Sequence, residues 1–441
     1  MMLASPPPLV ILGNTLEANG YLLYREPDLA QREVLIRGFR VANERSLLWL
    51  GDRKLVITEA PIAHLDYLRD RLGYSQLQHA CPERPSDSIC ADILREPALL
   101  QKIVNYAGDA GAVQLVPYAT TPAVHKLADA LRQEHGLTVY LPESPAPDRL
   151  WLREYVQTKL GFRMLVGQWL AGRLPEGYAA RSVEEAGAIA HTFLQRGQGC
   201  IVKANTGFLG IGHTVFRPEA ALELAEICAT LQQNPYYAGD LLIVEALIPS
   251  AQGLSPSAEV VVPANPSEPP YLIAICAQQV LPSGAYAGEM VSPAWRNAPW
   301  YADLSAAALE VAQKLRAMGY IGHFDLDGIV DDAGTLYLLE VNARRTGGTH
   351  VYELAQFLLG ERRAQTATLL SCTSAPCPAV GNWAELERAI ADLLFPNLSG
   401  WGVVITNSAG LARHQIGYAI LAANQADALA LQHTLTARLS L

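Results

Sequence analysis

Hydrophobic and polar positions follow two rhythms along the first third of the chain. Amphipathic stretches with apolar residues at helical spacing, such as 91–106 and 122–135, alternate with short apolar runs. These runs are LVIL from Leu9, SLLWL from Ser46, LVIT from Leu55, VQLV from Val113 and LTVYL from Leu137. Strands that alternate with helices are typical of a layered α/β domain with a largely parallel sheet. The pattern predicts such a domain over residues 1–141.

The segment PESPAPDR, residues 142–149, is rich in proline and charge and is interpreted as a linker. Beyond it, the pattern predicts helices and longer strands for a second, α+β domain over residues 150–370. The Ser/Pro/Cys-rich stretch SCTSAPCPAVGN precedes a tail. The tail pattern predicts a small α/β cap over 380–441, with helices at 383–394 and 425–438 and strands at 402–406 and 415–421. The overall fold class is α/β.

Two apolar stretches in the second domain alternate with a period of two. HFDLDGIVDD begins at His323, TLYLLEVNA begins at Thr335, and the tight-turn signal Asp332-Ala333-Gly334 lies between them. This arrangement predicts an antiparallel hairpin.

Composition narrows the class of partner. The chain has 33 basic and 43 acidic residues, a formal net charge of −10, with 50% hydrophobic and 17% charged residues. These values are typical of a globular protein and disfavour a broad nucleic-acid or anionic-membrane surface. The first residues lack the basic segment and long apolar run of a signal peptide, and seven scattered cysteines favour reduced thiols. We expect a cytoplasmic protein whose partners are small molecules or peptides.

One candidate site is the stretch GCIVKANTGFLGIGH. An apolar strand ends near Lys203 and leads into Gly207, Gly210 and Gly212. Glycines let backbone N–H groups approach phosphate oxygens, and the lysine supplies a positive charge. The stretch is neither a Walker A loop nor a GxGxxG motif. A flexible turn with an exposed lysine is the alternative interpretation.

The predicted hairpin is a second candidate site. Asp327 lies on one strand, and Glu340 and Asn342 lie on one face of the other. Two carboxylates and an amide oxygen suit Mg²⁺, which prefers oxygen ligands. Arg344, two residues further on, could contact phosphoryl oxygens or a developing negative charge. The alternative is that these acids only solubilise the sheet, although polar groups in the apolar run LYLLEVNA would be costly without partners.

Together, the two sites resemble the ATP-grasp superfamily. YIGHFDLDGIVDDAGTLYLLEVNARR resembles its metal-binding hairpin, and the separation of 13 residues from Glu340 selects Asp327 rather than Asp325. RTGGTHVYELA and the opening PPPLVILGN resemble pre-ATP-grasp peptide ligases of the pheganomycin type. The resemblance implies a pre-ATP-grasp domain over 1–141 and an ATP-grasp domain over 150–370.

The resemblance also implies roles for single residues. Lys159 and Lys203 match the two lysines near the α and β phosphates of ATP. Glu245 would accept from the adenine amino group, and the backbone of Ala246 and Leu247 would contact the ring edge. Glu259 matches a ribose-binding acid. For Lys159 and Glu259 a solvated charge is the alternative, and His323 is interpreted as structural rather than catalytic.

The activity implied is that of an ATP-dependent carboxylate–amine ligase. ATP with one or two Mg²⁺ ions, replaceable by Mn²⁺, would activate a small-molecule or peptide carboxylate as an acyl phosphate. An amine would then form the amide and release phosphate. The alternatives are a kinase-like phosphotransferase and a non-catalytic ATP-binding module. A dehydrogenase is disfavoured because the Gly13 region lacks GxGxxG. The acid, the amine and the oligomeric state, with a homodimer as one option, stay open.

Overall fold

The computed structural model describes residues 6–207, 212–281 and 285–440. Within these ranges the strands belong to three sheets: one parallel and two antiparallel. Of the helices in these ranges, none combines the length and apolar character needed to cross a membrane.

The N-terminal sheet is parallel, with strand order β3-β2-β1-β4-β5. Its strands are β1 (Leu9–Leu12), β2 (Lys54–Ile57), β3 (Gln78–Ala80), β4 (Ala112–Pro117) and β5 (Thr138–Tyr140). The accompanying helices are α1 (Thr15–Asn19), α2 (Leu29–Ala42), α3 (Leu65–Asp70), α4 (Ile89–Arg95), α5 (Pro97–Ala107) and α6 (Pro122–His135). The predicted layered α/β domain is confirmed.

Two local expectations for this domain are wrong. The SLLWL run forms a 3₁₀ helix at Asn43–Leu48 rather than a strand, because a short, fully apolar run has no period that separates the two. The helix expected at 91–106 is divided into α4 and α5, since Glu96 before Pro97 takes an extended conformation.

The next part of the chain forms a small antiparallel sheet of order β6-β9-β7-β8. The helices and strands of this part of the chain are α7 (Leu150–Val156), α8 (Lys159–Trp169), β6 (Gly177–Ala180), α9 (Val183–Gln195), β7 (Cys200–Ala204), β8 (His213–Phe216), α10 (Leu224–Gln232) and β9 (Leu242–Ala246). Phe193 of α9 and Ile227 of α10 lie in the hydrophobic cluster of this sheet, together with Val202 and Val244.

The remaining strands form one antiparallel sheet of order β14-β13-β10-β11-β12-β15-β17-β16. These strands are β10 (Ser255–Val262), β11 (Tyr271–Val280), β12 (Tyr286–Val291), β13 (Gly322–Val330), β14 (Leu336–Asn342), β15 (Thr368–Pro376), β16 (Gly402–Asn407) and β17 (Gln415–Ala422). The accompanying helices are α11 (Pro299–Ala317), α12 (Thr349–Leu359), α13 (Glu361–Ala364), α14 (Trp383–Ile390) and α15 (Gln425–Ser440). This large sheet crosses the boundary expected between 370 and 380, because β15 occupies much of the Ser/Pro/Cys-rich stretch and pairs with β17.

The two faces of the large sheet differ in chemistry. Val260, Phe324, Leu326 and Val341 contribute to a hydrophobic cluster that also includes residues of α11. Side chains opposite one another in an antiparallel register share a face, so the other face can be read from the strand pairing. We call it the polar face; it carries Ser257, Glu259, Cys276, Gln278, Glu289, Asp325, Asp327, Glu340 and Asn342.

Candidate active site

The hairpin β13–β14 brings the predicted metal residues together on the polar face. Asp327 lies opposite Glu340 in the register, and Asp325 lies opposite Asn342. A β-bulge follows Asp327, at the step to Gly328. Asn342 Nδ2 donates to Asp327 Oδ2 at 3.2 Å. The alternation read from the sequence thus places both carboxylates and the amide side by side.

The acids on β13 are buried and lie close together. Burial, followed by the charge of Asp327, raises the pKa of Asp325. Burial also raises the pKa of Asp327, against hydrogen bonds from Ser257 and Gln278 that favour its charged form. Gln278 Nε2 donates to Asp327 Oδ1 at 2.8 Å. This concentration of buried negative charge suits a cation.

Lys159, the first residue of α8, reaches this hairpin. It is buried and forms an ion pair with Glu340. Its backbone N–H donates to the Asn205 carbonyl at 2.9 Å, which holds the start of α8 against the end of β7. Burial and the neighbouring Lys203 lower the pKa of Lys159 to about 7. The interpretation of Lys159 as a solvated helix residue is wrong.

Lys203 is also buried, at the end of β7. Its Nζ lies 2.6 Å from Glu245 Oε2, and Arg163 Nη1 lies 2.6 Å from Glu245 Oε1. Burial raises the pKa of Glu245, but the charges of Lys203 and Arg163 outweigh it and hold that pKa below its usual value. The alternative of an exposed lysine on a flexible turn is therefore wrong for Lys203.

The glycine stretch after Lys203 is described only in part. Gly207 donates its N–H to the Ala204 carbonyl at 3.2 Å. Gly212 has a φ of +81°, and an added Cβ would lie 3.3 Å from side-chain atoms of Ala204 and Tyr236. Gly210 lies outside the described residues, so the predicted phosphate loop stays a prediction.

The stretch after Glu245 differs in detail from the adenine contact that was expected. The N–H of Ala246 donates to the Glu176 carbonyl at 2.8 Å, and the N–H of Leu247 donates to the Gly199 carbonyl at 2.9 Å. Both backbone donors are thus already used, and a contact between adenine and these two residues stays a prediction.

Glu259 lies beneath the segment that follows the hairpin. Its carboxylate accepts hydrogen bonds from Thr346 and from Thr349, the latter at 3.1 Å. Burial and the charge of Glu289 raise the pKa of Glu259 to about 8. Glu259 is therefore not a strand-edge charge in solvent, and its role at the ribose stays a prediction.

Arg344 follows β14 and extends the site towards the N-terminal sheet. Its Nη2 donates to Asn342 Oδ1 at 2.9 Å, and its guanidinium lies 5.4 Å from the centre of the Tyr118 ring. Burial lowers the pKa of Arg344, but neighbouring groups, Tyr118 first, outweigh it and raise that pKa above its usual value. Arg344 thus carries a permanent positive charge beside the predicted metal residues.

Sequence reasoning missed Arg163 and Gln278, which contact Glu245 and Asp327 directly. A signal existed for Gln278: on β11 it alternates with Gln279, and only one of the two can share a face with Asp327. His323 Nε2 lies 3.5 Å from Glu143 Oε1, and the interpretation of His323 as a structural residue stays a prediction.

Comparisons with known proteins agree with this geometry. Residues 43–133 match a family model described as the Pre ATP-grasp domain. A biotin carboxylase from Campylobacter jejuni in complex with β,γ-ATP superposes with a TM-score of 0.58 at 13% identity, covering 99% of this chain and 96% of that one. The chain thus contains a Pre ATP-grasp domain and shares the fold of this carboxylase. A second solved structure is the biotin carboxylase domain dimer of Hydrogenobacter thermophilus 2-oxoglutarate carboxylase with MgADP. Its TM-score is 0.52 at 15% identity, covering 95% of this chain and 87% of that one.

Two curated relatives of the chain are ligases. The L-propargylglycine–L-glutamate ligase of Streptantibioticus cattleyicolor is 24% identical over 365 residues, 73% of this chain and 70% of the relative. The butirosin acyl-carrier-protein–L-glutamate ligase of Niallia circulans is 34% identical over 85 residues. That second match spans only 19% of this chain and 20% of the relative.

Proposed function

We propose that this chain is an ATP-grasp enzyme that acts as an ATP-dependent carboxylate–amine ligase. The observation that carries the proposal is the polar face, where Asp327, Glu340 and Asn342 lie beside the buried cations Lys159 and Arg344. Phosphoryl transfer needs a metal site and cationic side chains together, because both stabilise the negative charge on the phosphates and on the reacting oxygen. The names of the two curated relatives support the ligase class.

The donor set fits a hard divalent cation. Asp327 and Glu340 offer carboxylates and Asn342 an amide oxygen, and these are held at present by hydrogen bonds and by the ion pair with Lys159. We propose that these three residues hold Mg²⁺, with Mn²⁺ as a substitute. The ion would supply charge neutralisation at the transferring phosphoryl group.

The chain's own residues position ATP and the substrate. Lys203, fixed by Glu245, offers a charge-assisted contact to phosphate oxygens, and Lys159 offers a second one beside Glu340. In the first step, an oxygen of the substrate carboxylate attacks the γ-phosphorus of ATP, and the bond to the ADP oxygen breaks.

In the second step, the nitrogen of a neutral amine attacks the carbonyl carbon of the acyl phosphate. The bond to the phosphate oxygen breaks, the nitrogen loses a proton, and the products are an amide and inorganic phosphate. We expect Arg344, which donates to Asn342, to stabilise the oxyanion of the tetrahedral intermediate. Residues of the large sheet need only bind and orient the reactants, so no protein nucleophile is required.

The experiment is a phosphate-release assay with mass detection of the product. Because both relatives are named for L-glutamate, we propose an amino-acid substrate and use L-glutamate with a panel of amino acids and amines. The expected result is phosphate release that needs an acid and an amine together, with an amide of the matching mass. Transfer without free phosphate would indicate a phosphotransferase, and ATP binding without turnover would indicate a binding module. Either result would overturn the ligase proposal.

A further inference from the structure

A small cavity lies where the N-terminal sheet meets the hairpin β13–β14. Tyr118 and Thr120, which follow β4, form one side. His323, Arg344 and Arg153 of α7 also line it, together with Glu143 and Arg345. The cavity measures about 10 Å³, which is room for one small polar group rather than a whole substrate.

The position of the cavity in the fold is that of a binding site. In the order β3-β2-β1-β4-β5, the chain moves to one side of β1 for β2 and β3 and to the other side for β4 and β5. Open α/β sheets bind ligands beyond the carboxyl ends of the strands where the order reverses in this way. Residues 118–120 lie directly beyond the carboxyl end of β4.

Arg153 is a buried cation with an unused donor. Its side chain is 3% exposed, and its Nη1 is bound to the carboxylate of Glu154, a side chain that is 56% exposed. Its Nε finds no hydrogen-bond partner among the described residues, and neither does Nδ1 of His323. Buried donors without partners are costly, so an acceptor in the cavity would relieve that cost.

The electrostatic balance around the cavity favours an anion. The lining contains three arginines, Arg153, Arg344 and Arg345, and one acid, Glu143. The third arginine, Arg345, is neutralised by Glu143 at 2.7 Å and by a second carboxylate at 3.0 Å. Arg153, whose Nε has no partner among the described residues, is thus the arginine of the lining that can bind a ligand.

We propose that this cavity binds a substrate carboxylate that takes no part in the reaction, held by Arg153 on the side away from Asn342. The proposal rests on the ligase function, because the reacting carboxylate lies beside Asn342 and Arg344 in that function. A second carboxylate fits a cavity for one small group, and arginine recognises carboxylates with its planar fork of donors. The substrate class is therefore an amino acid or peptide that is anchored by its unreactive carboxylate.

The test compares Arg153→Gln and Arg153→Lys with the wild type in phosphate release. Arg149→Gln is the matched control, because Arg149 is about half-exposed and pairs with Asp148 outside the cavity. L-Glutamate, L-alanine and their α-amides are the probes. In Arg153→Gln, the KM for one amino-acid substrate should rise about tenfold to a hundredfold while the KM for ATP stays unchanged. Replacing that substrate's α-carboxylate by the amide should raise the KM of the wild type by the same factor. It should not raise the KM of the variant any further.

The probes also identify which substrate is anchored. If the change in KM depends on the carboxylate of L-glutamate, the cavity binds the acyl donor. If it depends on the carboxylate of L-alanine, the cavity binds the amine acceptor. Either result would support the proposal. Unchanged KM values for both substrates in a folded Arg153→Gln would overturn it. Arg153→Lys keeps the positive charge but lacks the Nε donor. If Arg153→Gln does not fold, the KM values of Arg153→Lys are compared with those of the wild type instead.

A binding experiment separates this inference from the proposed function. If the wild type releases no phosphate with any acid and amine, the ligase proposal fails. Melting curves then test the cavity alone. Stabilisation by L-glutamate in the wild type but not in Arg153→Gln would support carboxylate binding. Equal stabilisation of both, or the same stabilisation of the wild type by inorganic phosphate, would overturn it.

Discussion

At the scale of single residues, Lys203 of β7 forms an ion pair with Glu245 of the neighbouring strand β9, and we propose that it binds a phosphate of ATP. In Lys203→Ala, Glu245 keeps Arg163 as a partner, so the fold should hold. We expect the KM for ATP to rise about tenfold to a hundredfold, since a charge-assisted hydrogen bond contributes roughly 1.5–3 kcal/mol. Kinetic titration with ATP measures the effect. Lys126→Ala, at an exposed helix position, is the control, and equal kinetics in both variants would refute the phosphate contact.

Arg344 is predicted to act at the transition state rather than in ATP binding. Arg344→Ala should lower kcat about a hundredfold or more and change the KM for ATP little, because its contact strengthens as charge develops. Steady-state kinetics give both values, and the exposed Arg362→Ala serves as a control. A rise in KM alone would show that Arg344 binds only the ground state.

The sequence predicted the residues of the hairpin better than their partners. Asp327, Glu340 and Asn342 could be placed because they belong to one local hairpin with a period of two. Arg163 and Gln278 could not, because their partners Glu245 and Asp327 lie 82 and 49 residues away along the chain. Spacing within a strand carries no information about pairing at such distances.

At the scale of elements, strand β14, which carries two of the predicted metal residues, contacts α8 through the ion pair of Glu340 with Lys159. Glu340→Gln should reduce amide formation at least about a hundredfold, because metal-ion stabilisation of a transferring phosphoryl group amounts to several kcal/mol. The ligand-free protein should melt at a lower temperature, since the buried Lys159 loses its partner. Phosphate release and melting curves with and without Mg-ATP measure both effects.

Glu310→Gln, on the solvent side of α11, is the control for that experiment. Undiminished activity in Glu340→Gln would show that the hairpin acids only solubilise the sheet.

Elements with local signals were predictable from the sequence. Helix α6 spans the expected residues because Thr121 caps its start and Gly136, with a φ of +66°, ends it. Strand β3 has only three residues, QHA, and no apolar run to reveal it. The addition of β17 and β16 to the large sheet depends on pairing across the molecule, which local pattern does not encode.

At the scale of the whole molecule, Arg345 connects the linker to helix α12. Its guanidinium is 1% exposed and is held by Glu143 of the linker and Glu353 of α12. Arg345→Met should destabilise the protein by about 3–5 kcal/mol, because two carboxylates lose their buried partner. Denaturant titration measures this change. Arg173→Met, which breaks an exposed pair with Asp303, should cost about 1 kcal/mol or less.

The same cluster gives a pH dependence. Burial raises the pKa of Glu143, but Arg345 and His323 outweigh it and hold that pKa well below its usual value of 4.5. A depressed pKa in the folded state means that the stabilisation is present above about pH 4.5 and is lost as the pH falls below it. Arg345→Met should therefore lose less stability than the wild type between pH 5 and pH 3. An equal loss in both proteins would exclude the Glu143 pair as the cause.

The N-terminal sheet shares a hydrophobic cluster with the last strands of the large sheet. This cluster has a consequence for the order in which the nascent chain folds. The strands of the N-terminal sheet are complete once residue 140 has been synthesised. One face of that sheet, with Ile11, Val56 and Val116, packs in a cluster with Val403 and Leu421 near the other end of the chain. Until the ribosome delivers those last strands, this apolar face is left without its native cover. Translation therefore leaves a long interval in which chaperones or aggregation compete for it.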